Sequence, residues 1–162
     1  MINLKERKTK IRDLEIIANM VRRQCIKISG SKRIPHLGSC LSCLDLLVVI
    51  YWNSLDLNIE NSQDENRDRF LLSKGHASPI LLQILALRGF FDETELESFG
   101  DDGSYFHEHP PKPGYIPGVE AATGSLGHGF SMGVGMATAA KIQGEDYRVY
   151  CLLGDGECNE GV

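Results

Sequence analysis

An apolar run that stops at a Gly-Asp-Gly turn restricts the fold of this chain more than any other feature. The run covers residues 149–153 (Val-Tyr-Cys-Leu-Leu), and Gly154, Asp155 and Gly156 follow directly. A short apolar run bounded by turn residues is typical of a buried strand in a parallel sheet. Because ligands of open α/β sheets bind beyond the carboxyl ends of the strands, the pattern predicts an α/β fold with Asp155 facing a metal or a phosphate. An ordinary turn aspartate is the alternative interpretation.

A second apolar run repeats this arrangement. Residues 70–72 (Phe-Leu-Leu) lead into Ser73, Lys74, Gly75 and His76. The pattern predicts a short buried strand that presents polar groups, His76 among them, at its carboxyl end. A polar, charged stretch over residues 56–69 precedes it and is expected to be a solvent-exposed connection.

Helical patterns fill most of the remaining chain. A helix of about five turns is predicted to end at residues 29–31 (Ser-Gly-Ser). Ser42 and Asp45 have the spacing of a capping box, which predicts a second helix from there to about Trp52. Residues 77–87 form a third candidate, and Asp92 with Glu95 predicts a further capped helix start. The apolar face of the first helix comprises Ile11, Leu14, Ala18, Val21, Cys25 and Ile28.

Composition places the chain among soluble globular proteins. With 162 residues, 42% of them hydrophobic and 24% charged, residues 1–162 are expected to form a single domain. The net charge of -5 and pI of about 5.5 argue against a nucleic-acid-binding surface. No uninterrupted apolar segment approaches the roughly 18 to 20 residues of a membrane helix, and no signal peptide core follows the basic amino terminus. A cytoplasmic location without membrane attachment is therefore the expectation.

The five cysteines do not form a recognisable zinc or disulfide framework. Cys40 and Cys43 are spaced as a Cys-x-x-Cys pair, but no second pair with zinc spacing exists and no strand leads into them. We expect them to pack inside a helix, with metal or redox use as the alternative.

A long loop and a glycine-rich segment precede the closing strand. Residues 101–123 lack periodicity and contain four of the six prolines, together with His107 and His109. Long ordered loops of this kind in compact domains are usually functional, although a linker is the alternative. The helix predicted after Gly127 carries small residues along one side, namely Gly129, Gly133 and Ala137. We expect backbone N–H groups of residues 124–127 to point at a cofactor from the start of this helix.

Four segments of the chain resemble transketolases in order and approximate spacing. They are HLGSCLS from His36, DRFLLSKGHASPILLQILALRGFF from Asp68, the segment HPPKPGYIPGVEAATGSLGHGFSMGVGMA from His109, and LLGDGECNEG from Leu152. Several long motifs in one register are far more specific than any single short motif. The Ser-Lys-Gly-His and Gly-Ser-Leu-Gly-His-Gly forms look most like the N-terminal, diphosphate-binding subunit of split transketolases.

The resemblance implies a thiamine diphosphate-binding fold with a parallel sheet, incomplete at its C-terminus. It implies transfer of a two-carbon ketol unit from a ketose phosphate to an aldose phosphate, with thiamine diphosphate and Mg²⁺ as cofactors. Asp155 corresponds to a magnesium ligand. The implied catalytic residues are His36, His76 and His109, whose imidazoles can exchange protons at cellular pH. The implied cofactor-binding residues are Ser39, His76, Gly124, Ser125, Leu126, Asp155, Gly156 and Glu160, with Glu160 also reaching a partner protein.

Several features depart from the family pattern. Pro35 stands where glycine is usual before the first histidine, and His107 and His128 match less specific positions, so a purely structural role is expected for those two. The asparagine that completes the metal site in the family lies beyond Val162, and one carboxylate would hold magnesium weakly. We therefore expect dependence on a C-terminal subunit or domain, a homo-oligomer or heterotetramer, and an exposed apolar face that favours association. The alternatives are a non-catalytic fragment and another thiamine-dependent enzyme such as deoxyxylulose phosphate synthase.

Overall fold

The computed structural model describes residues 9–161 of the chain. Four α-helices and two β-strands account for its regular structure, together with a π-helical turn and three short 3-10 segments in the described range. The α-helices are α1 (Ile11–Lys32), α2 (Leu37–Val49), α3 (Ser78–Leu87) and α4 (His128–Gln143), and the strands are β1 (Arg69–Leu72) and β2 (Val149–Leu152). Most of the basic amino-terminal segment lies outside the described residues.

The two predicted strands pair in parallel, as an α/β fold requires. Phe70 is in register with Tyr150, and Leu71 is in register with Cys151. Successive strand side chains point to opposite faces, so each face is covered by different elements. Phe70 and Leu72 belong to the main hydrophobic core with α1, α2 and α3, whereas the opposite face at Leu71 lies under Gly133 of α4. The sheet is therefore sandwiched between helices.

The amino ends of both strands are held together by Asp68, which is only 7% exposed. One carboxylate oxygen accepts a hydrogen bond from Arg148 N at 2.8 Å, and the other accepts from Asp56 N at 2.8 Å. Arg67 also forms an ion pair with Glu120 in which both side chains are largely buried. The prediction that residues 56–69 are only a solvated connection is thus wrong at its end, because these charged groups secure the strand entry.

The first helix forms as predicted but runs further. Leu14, Ala18, Val21 and Cys25 are buried, whereas Ile11 remains 77% exposed. The residues Ser29-Gly30-Ser31 do not end the helix, which continues to Lys32 and stops at a left-handed Arg33. The helix extends past Gly30 because one unfavourable residue costs only about 1 kcal/mol, which neighbouring packing can offset.

The second helix begins earlier than predicted, and the capping box is wrong. The helix starts at Leu37, and the hydroxyl of Ser42 donates to the Ser39 carbonyl at 2.9 Å. Asp45 instead pairs with Arg22 of α1 at 3.0 Å. The capping box predicted at residues 92 and 95 is confirmed, although it opens a 3-10 segment (Glu93–Ser98).

Segment Leu37–Ser54 forms one continuous 18-residue helical stretch with a mean hydropathy of 1.4, so by length and composition it could cross a membrane. This qualifies the expectation that no segment approaches that limit. Leu44, Leu47 and Trp52 within it are fully buried. Its apolar character is explained by core packing against α1 and α3, where a fully buried leucine contributes about 1.5 to 3 kcal/mol.

The Cys-x-x-Cys pair packs inside this core, as expected. Cys40 and Cys43 are 1% and 3% exposed, and both are free thiols. Burial raises the pKa of Cys43 to about 11, so it stays a neutral thiol at cellular pH. The thiol donates to the Ser39 carbonyl at 3.3 Å and acts as a packing residue.

Candidate functional site

A cleft of about 320 Å³ lies at the carboxyl ends of both strands. It is bounded by the first turn of α2, by the segment after β1, and by the Gly-Asp-Gly turn after β2. The residues that line it are Gly38, Ser39, Ser42, Lys74, His76, Leu126, Gly154, Asp155, Gly156 and Glu157. Five of the residues predicted from the sequence therefore share one cavity, namely Ser39, His76, Leu126, Asp155 and Gly156.

Two of the three predicted histidines are in direct contact beside this cleft. The rings of His36 and His76 meet edge to face with their centroids 5.3 Å apart. His36 adopts φ of 115°, a left-handed conformation that is strained for a residue with a side chain. Pro35 and Gly38 flank it, and the predicted non-helical backbone of the histidine is confirmed. Because strain of this kind concentrates at functional sites, the conformation agrees with a site role for His36.

His109 approaches from the long proline-rich loop. Its ring packs against Gly124, where a Cβ atom would stand 3.2 Å from His109 Cδ2. The pKa of His76 lies below its usual value, mainly because burial disfavours the charged ring, and next because of the positive charge of Lys74 and the neighbouring His36 and His109. Glu157 opposes this shift but does not reverse it. His76 is therefore a neutral imidazole near pH 7 and can accept a proton.

The backbone at Gly75 lies very close to the backbone at Thr123 and Gly124, in the loop before α4. This places that loop against the histidine cluster. A Cβ atom on Gly75 would stand 2.7 Å from the Thr123 carbonyl carbon and 2.8 Å from Gly124 N. The Thr123 hydroxyl donates to the Leu72 carbonyl at 2.7 Å, which fixes the same approach. Only glycine fits at position 75, so this residue sets the distance between the strand end and residues 123–126.

Glu157 joins three segments of the site. It lies inside the motif that begins at Leu152, but it was not among the predicted site residues. It is 4% exposed. One carboxylate oxygen accepts hydrogen bonds from the Ser73 hydroxyl and from Gly127 N, and the other accepts from Gly154 N at 2.9 Å. Burial alone would raise the pKa of Glu157, but these three donors hold it below its usual value. Glu157 is therefore an anchored anion that links the ends of β1 and β2 to the start of α4.

This contact changes the expectation for the glycine-rich segment. Gly127 N, which was expected to face a cofactor, donates to Glu157 at 2.8 Å, and Phe130 N donates to the Ser73 hydroxyl at 2.9 Å. Those two N–H groups at the start of α4 are satisfied within the protein. Leu126 still lines the cleft, whereas Gly124 and Ser125 lie next to it in the chain.

Asp155 and Glu160 have different surroundings. Asp155 is exposed, lines the cleft, and its side chain does not cap the 3-10 turn that follows it. Glu160 is exposed and lies outside the residues that line the cleft. His107 and His128 are also exposed and do not line it.

A larger depression of about 430 Å³ lies elsewhere, between α1 and the 3-10 segment at residues 93–98. Its lining mixes Lys27 and Lys32 with Glu93 and Glu97, and it contains none of the predicted site residues. The cleft at the strand ends is the candidate site because the converging polar groups lie there.

The profile of the family described as "Transketolase, thiamine diphosphate binding domain" matches residues 15–162 of the chain. The chain belongs to the transketolase family. The resemblance seen in the sequence, and the α/β fold expected from it, are confirmed.

Relatives of this transketolase-family chain include a protein named as a transketolase subunit and proteins named as transketolases. It is 38% identical over 151 residues to one of the subunits of the apulose-4-phosphate transketolase of Phocaeicola vulgatus, covering 93% of this chain and 53% of that protein. It is 38% identical over 154 residues to human transketolase, covering 94% of this chain and 24% of that protein. The crystal structure of Campylobacter jejuni transketolase superimposes with a TM-score of 0.86 and 35% identity over 94% of this chain and 25% of that one. The chain thus spans about half of the first relative and about a quarter of the others.

Proposed function

We propose that this chain is the thiamine diphosphate- and Mg²⁺-binding part of a transketolase, which transfers a two-carbon ketol unit from a ketose phosphate to an aldose phosphate. The observation that carries the proposal is the cleft at the strand ends, which brings together Ser39, His76, Leu126, Asp155 and Gly156. Membership of the family supports it.

The residues present fit the diphosphate end of the cofactor. The Asp155 carboxylate is exposed in the cleft and could ligate magnesium, while Gly156 leaves open space where a side chain would stand. Within residues 9–161 there is no group of three or more His, Cys, Asp or Glu side chains that could hold a metal ion. Magnesium commonly keeps several waters and substrate phosphates as ligands, so one protein carboxylate is compatible with a metal held jointly with the diphosphate.

The histidine cluster supplies the groups that handle protons. Thiamine diphosphate, when bound, supplies the carbanion-stabilising chemistry that carbon–carbon bond cleavage needs. His76 is neutral near pH 7 and can accept a proton at its free ring nitrogen, and His36 and His109 beside it can bond substrate hydroxyls. Ser39 and Leu126 would bound the cofactor, and Gly124 and Ser125 would add backbone contacts.

A C-terminal transketolase subunit or domain is the proposed partner. The name of the Phocaeicola relative describes it as one subunit of its enzyme, which supports a split enzyme here. α4 exposes large apolar side chains, including Phe130 at 44% and Val134 at 51%. Such a surface favours association, either with that partner or in a homo-oligomer. Glu160, which is also exposed, is proposed to reach the partner.

Ketol transfer from xylulose 5-phosphate to ribose 5-phosphate tests the proposal. The full-length protein would be assayed with its C-terminal subunit, with thiamine diphosphate and Mg²⁺ added or withheld. We expect turnover only when both cofactors are present, and in Asp155→Asn we expect lower turnover and a much higher Mg²⁺ concentration for half-maximal turnover, because a metal ligand is lost. The matched control is Asp146→Asn, an exposed aspartate away from the cleft. Cofactor-independent turnover, or equal effects of the two variants, would contradict the proposal.

A further inference from the structure

Residues 119–124 connect the proline-rich loop to the cleft without belonging to any helix or strand. Val119, Ala121 and Thr123 are buried, so the segment packs into the protein. Among the described residues, no backbone group of residues 120–124 takes part in a backbone–backbone hydrogen bond. The position of this segment must therefore be set by its side chains.

Two side chains tie the segment to β1, one near each end of the strand. The Thr123 hydroxyl donates to the carbonyl of Leu72, the last residue of β1, at 2.7 Å. Glu120 forms its ion pair with Arg67, two residues before β1. The side chains of Arg67 and Glu120 are only 14% and 10% exposed, so the pair is largely shielded from water.

Arg67 is itself held in place by the backbone. Its Nε donates to the Ser62 carbonyl at 2.8 Å, and the terminal nitrogen that meets Glu120 also donates to the Asp68 carbonyl at 3.1 Å. A buried ion pair is often no more stabilising than apolar side chains of similar size, so stability alone does not explain this one. What the pair adds is a defined partner for Glu120, because the donors of a guanidinium form a rigid planar fork.

The segment ends at the histidine cluster. A Cβ atom on Gly124 would stand 3.2 Å from Cδ2 of the His109 ring, so the Gly124 backbone supports that ring. Two residues further on, Leu126 lines the cleft. A displacement at Glu120 would therefore move the surface on which the His109 ring lies.

We propose that Glu120 is a positioning residue for ketol transfer: through its ion pair with Arg67 it fixes residues 120–124 and thereby sets the position of the His109 ring. This inference rests on the proposed function, in which His109 bonds substrate hydroxyls. Glu120 does not line the cleft, so it acts through the segment and not on a substrate.

A paired substitution tests the inference in the full-length protein with its C-terminal subunit. Arg67→Met combined with Glu120→Met removes both charges, so no unpaired charge stays buried and the fold should persist. Because a misplacement of about 1 Å can cost about 100-fold in rate, we expect kcat/KM for ketol transfer to fall by about 10- to 100-fold. The control, Arg22→Met combined with Asp45→Leu, removes a more exposed ion pair between α1 and α2 and should change kcat/KM less than about twofold.

Combination with His109→Ala distinguishes positioning from a general loss of stability. In the paired variant the His109 ring is already displaced, so His109→Ala should reduce kcat/KM by a factor at least about threefold smaller than in the wild-type background. His36→Ala removes a ring that contacts His76, and its factor should be the same in both backgrounds. Equal factors for His109→Ala in the two backgrounds, or wild-type kcat/KM in the paired variant, would overturn the inference.

A readout without turnover separates this inference from the proposed function. In the ligand-free protein, the NMR signal of the His109 ring, assigned with His109→Ala, should shift in the paired variant and stay in place in the Arg22→Met/Asp45→Leu control. Glu120→Asp keeps the charge and shortens the side chain by one methylene group, so it should shift the same signal even if the paired variant fails to fold. An unmoved signal in a folded variant would overturn the inference. Wild-type protein without ketol transfer, or His109→Ala with wild-type activity, would instead refute the proposed function, and the NMR signal would still decide whether Glu120 positions the ring.

Discussion

The Glu157 carboxylate accepts a hydrogen bond from the backbone N–H of Gly127 at 2.8 Å, across 30 residues of sequence. Glu157 thereby caps α4 from a different segment of the chain, and its second oxygen holds the Gly154 N–H at 2.9 Å. Two walls of the cleft, one at Leu126 and one at the Gly-Asp-Gly turn, are positioned by this one side chain.

Glu157→Gln should therefore destabilise the fold. A glutamine amide offers one acceptor oxygen and turns an NH₂ group towards a site built for an acceptor, so at least one buried donor loses its partner. We expect a loss of about 1 to 3 kcal/mol in unfolding free energy, measured by urea denaturation. Glu145→Gln, at an exposed position after α4, should change stability by less than about 0.5 kcal/mol.

The same carboxylate should make stability depend on pH. The pKa of Glu157 in the folded protein lies below its ordinary value of 4.5, so near that pH the unfolded chain binds more protons than the folded one. Its contribution is complete above the unfolded pKa and is lost as the pH falls through the folded pKa. Unfolding free energies of wild type and Glu157→Gln should therefore converge as the pH falls below about 4.5. Curves that stay parallel would contradict this assignment.

The sequence predicted the elements whose signals are local. The strands at residues 69–72 and 149–152 have apolar runs bounded by turns, and both form where expected. The start of α2 was missed because its first residue follows a strained His36, and no capping side chain marks it. Sequence propensity reports only local preferences along the chain. Tertiary packing can override these preferences, and the start of α2 is such a case.

The sequence predicted the site residues that belong to motifs, but it did not predict the contacts that hold those residues in place. Asp155 and His76 stand at strand ends, where the fold rule places ligands. Glu157 carries no such signal, because its partners Ser73 and Gly127 are 84 and 30 residues away in sequence. An acidic residue just beyond the Gly-Asp-Gly turn was visible, but only the folded chain shows which donors surround it.

A histidine of the cluster and an exposed histidine outside the cleft should differ in their effect on activity. His76→Ala should lower kcat/KM for ketol transfer by about 100-fold or more, as expected for loss of a group that moves protons. His107→Ala should leave kcat/KM unchanged, because His107 is exposed and does not line the cleft. The assay uses the cofactor-saturated complex with the C-terminal subunit. Similar losses in both variants would indicate that the loop, rather than the cluster, limits activity.

Two glycines of α4 allow a test of close packing, because Gly129 packs tightly and Gly135 does not. A Cβ atom on Gly129 would stand 2.6 Å from Ser73 Cα, a backbone atom that cannot move aside, whereas one on Gly135 would meet nothing within 4 Å. Gly133 has only ordinary contacts, and Ala137 is exposed, so the predicted stripe is confirmed at Gly129 and wrong at Ala137.

Gly129→Ala should therefore destabilise the protein by about 1 to 3 kcal/mol through overpacking. It should also weaken cofactor binding, because the start of α4 must shift away from Ser73 and so from Glu157. Gly135→Ala on the same helix should raise the unfolding free energy by up to about 1 kcal/mol, since alanine has the higher helix propensity. Denaturation midpoints of the two variants, measured side by side, should move in opposite directions. If both move downwards, the expected gain from helix propensity at Gly135 is contradicted.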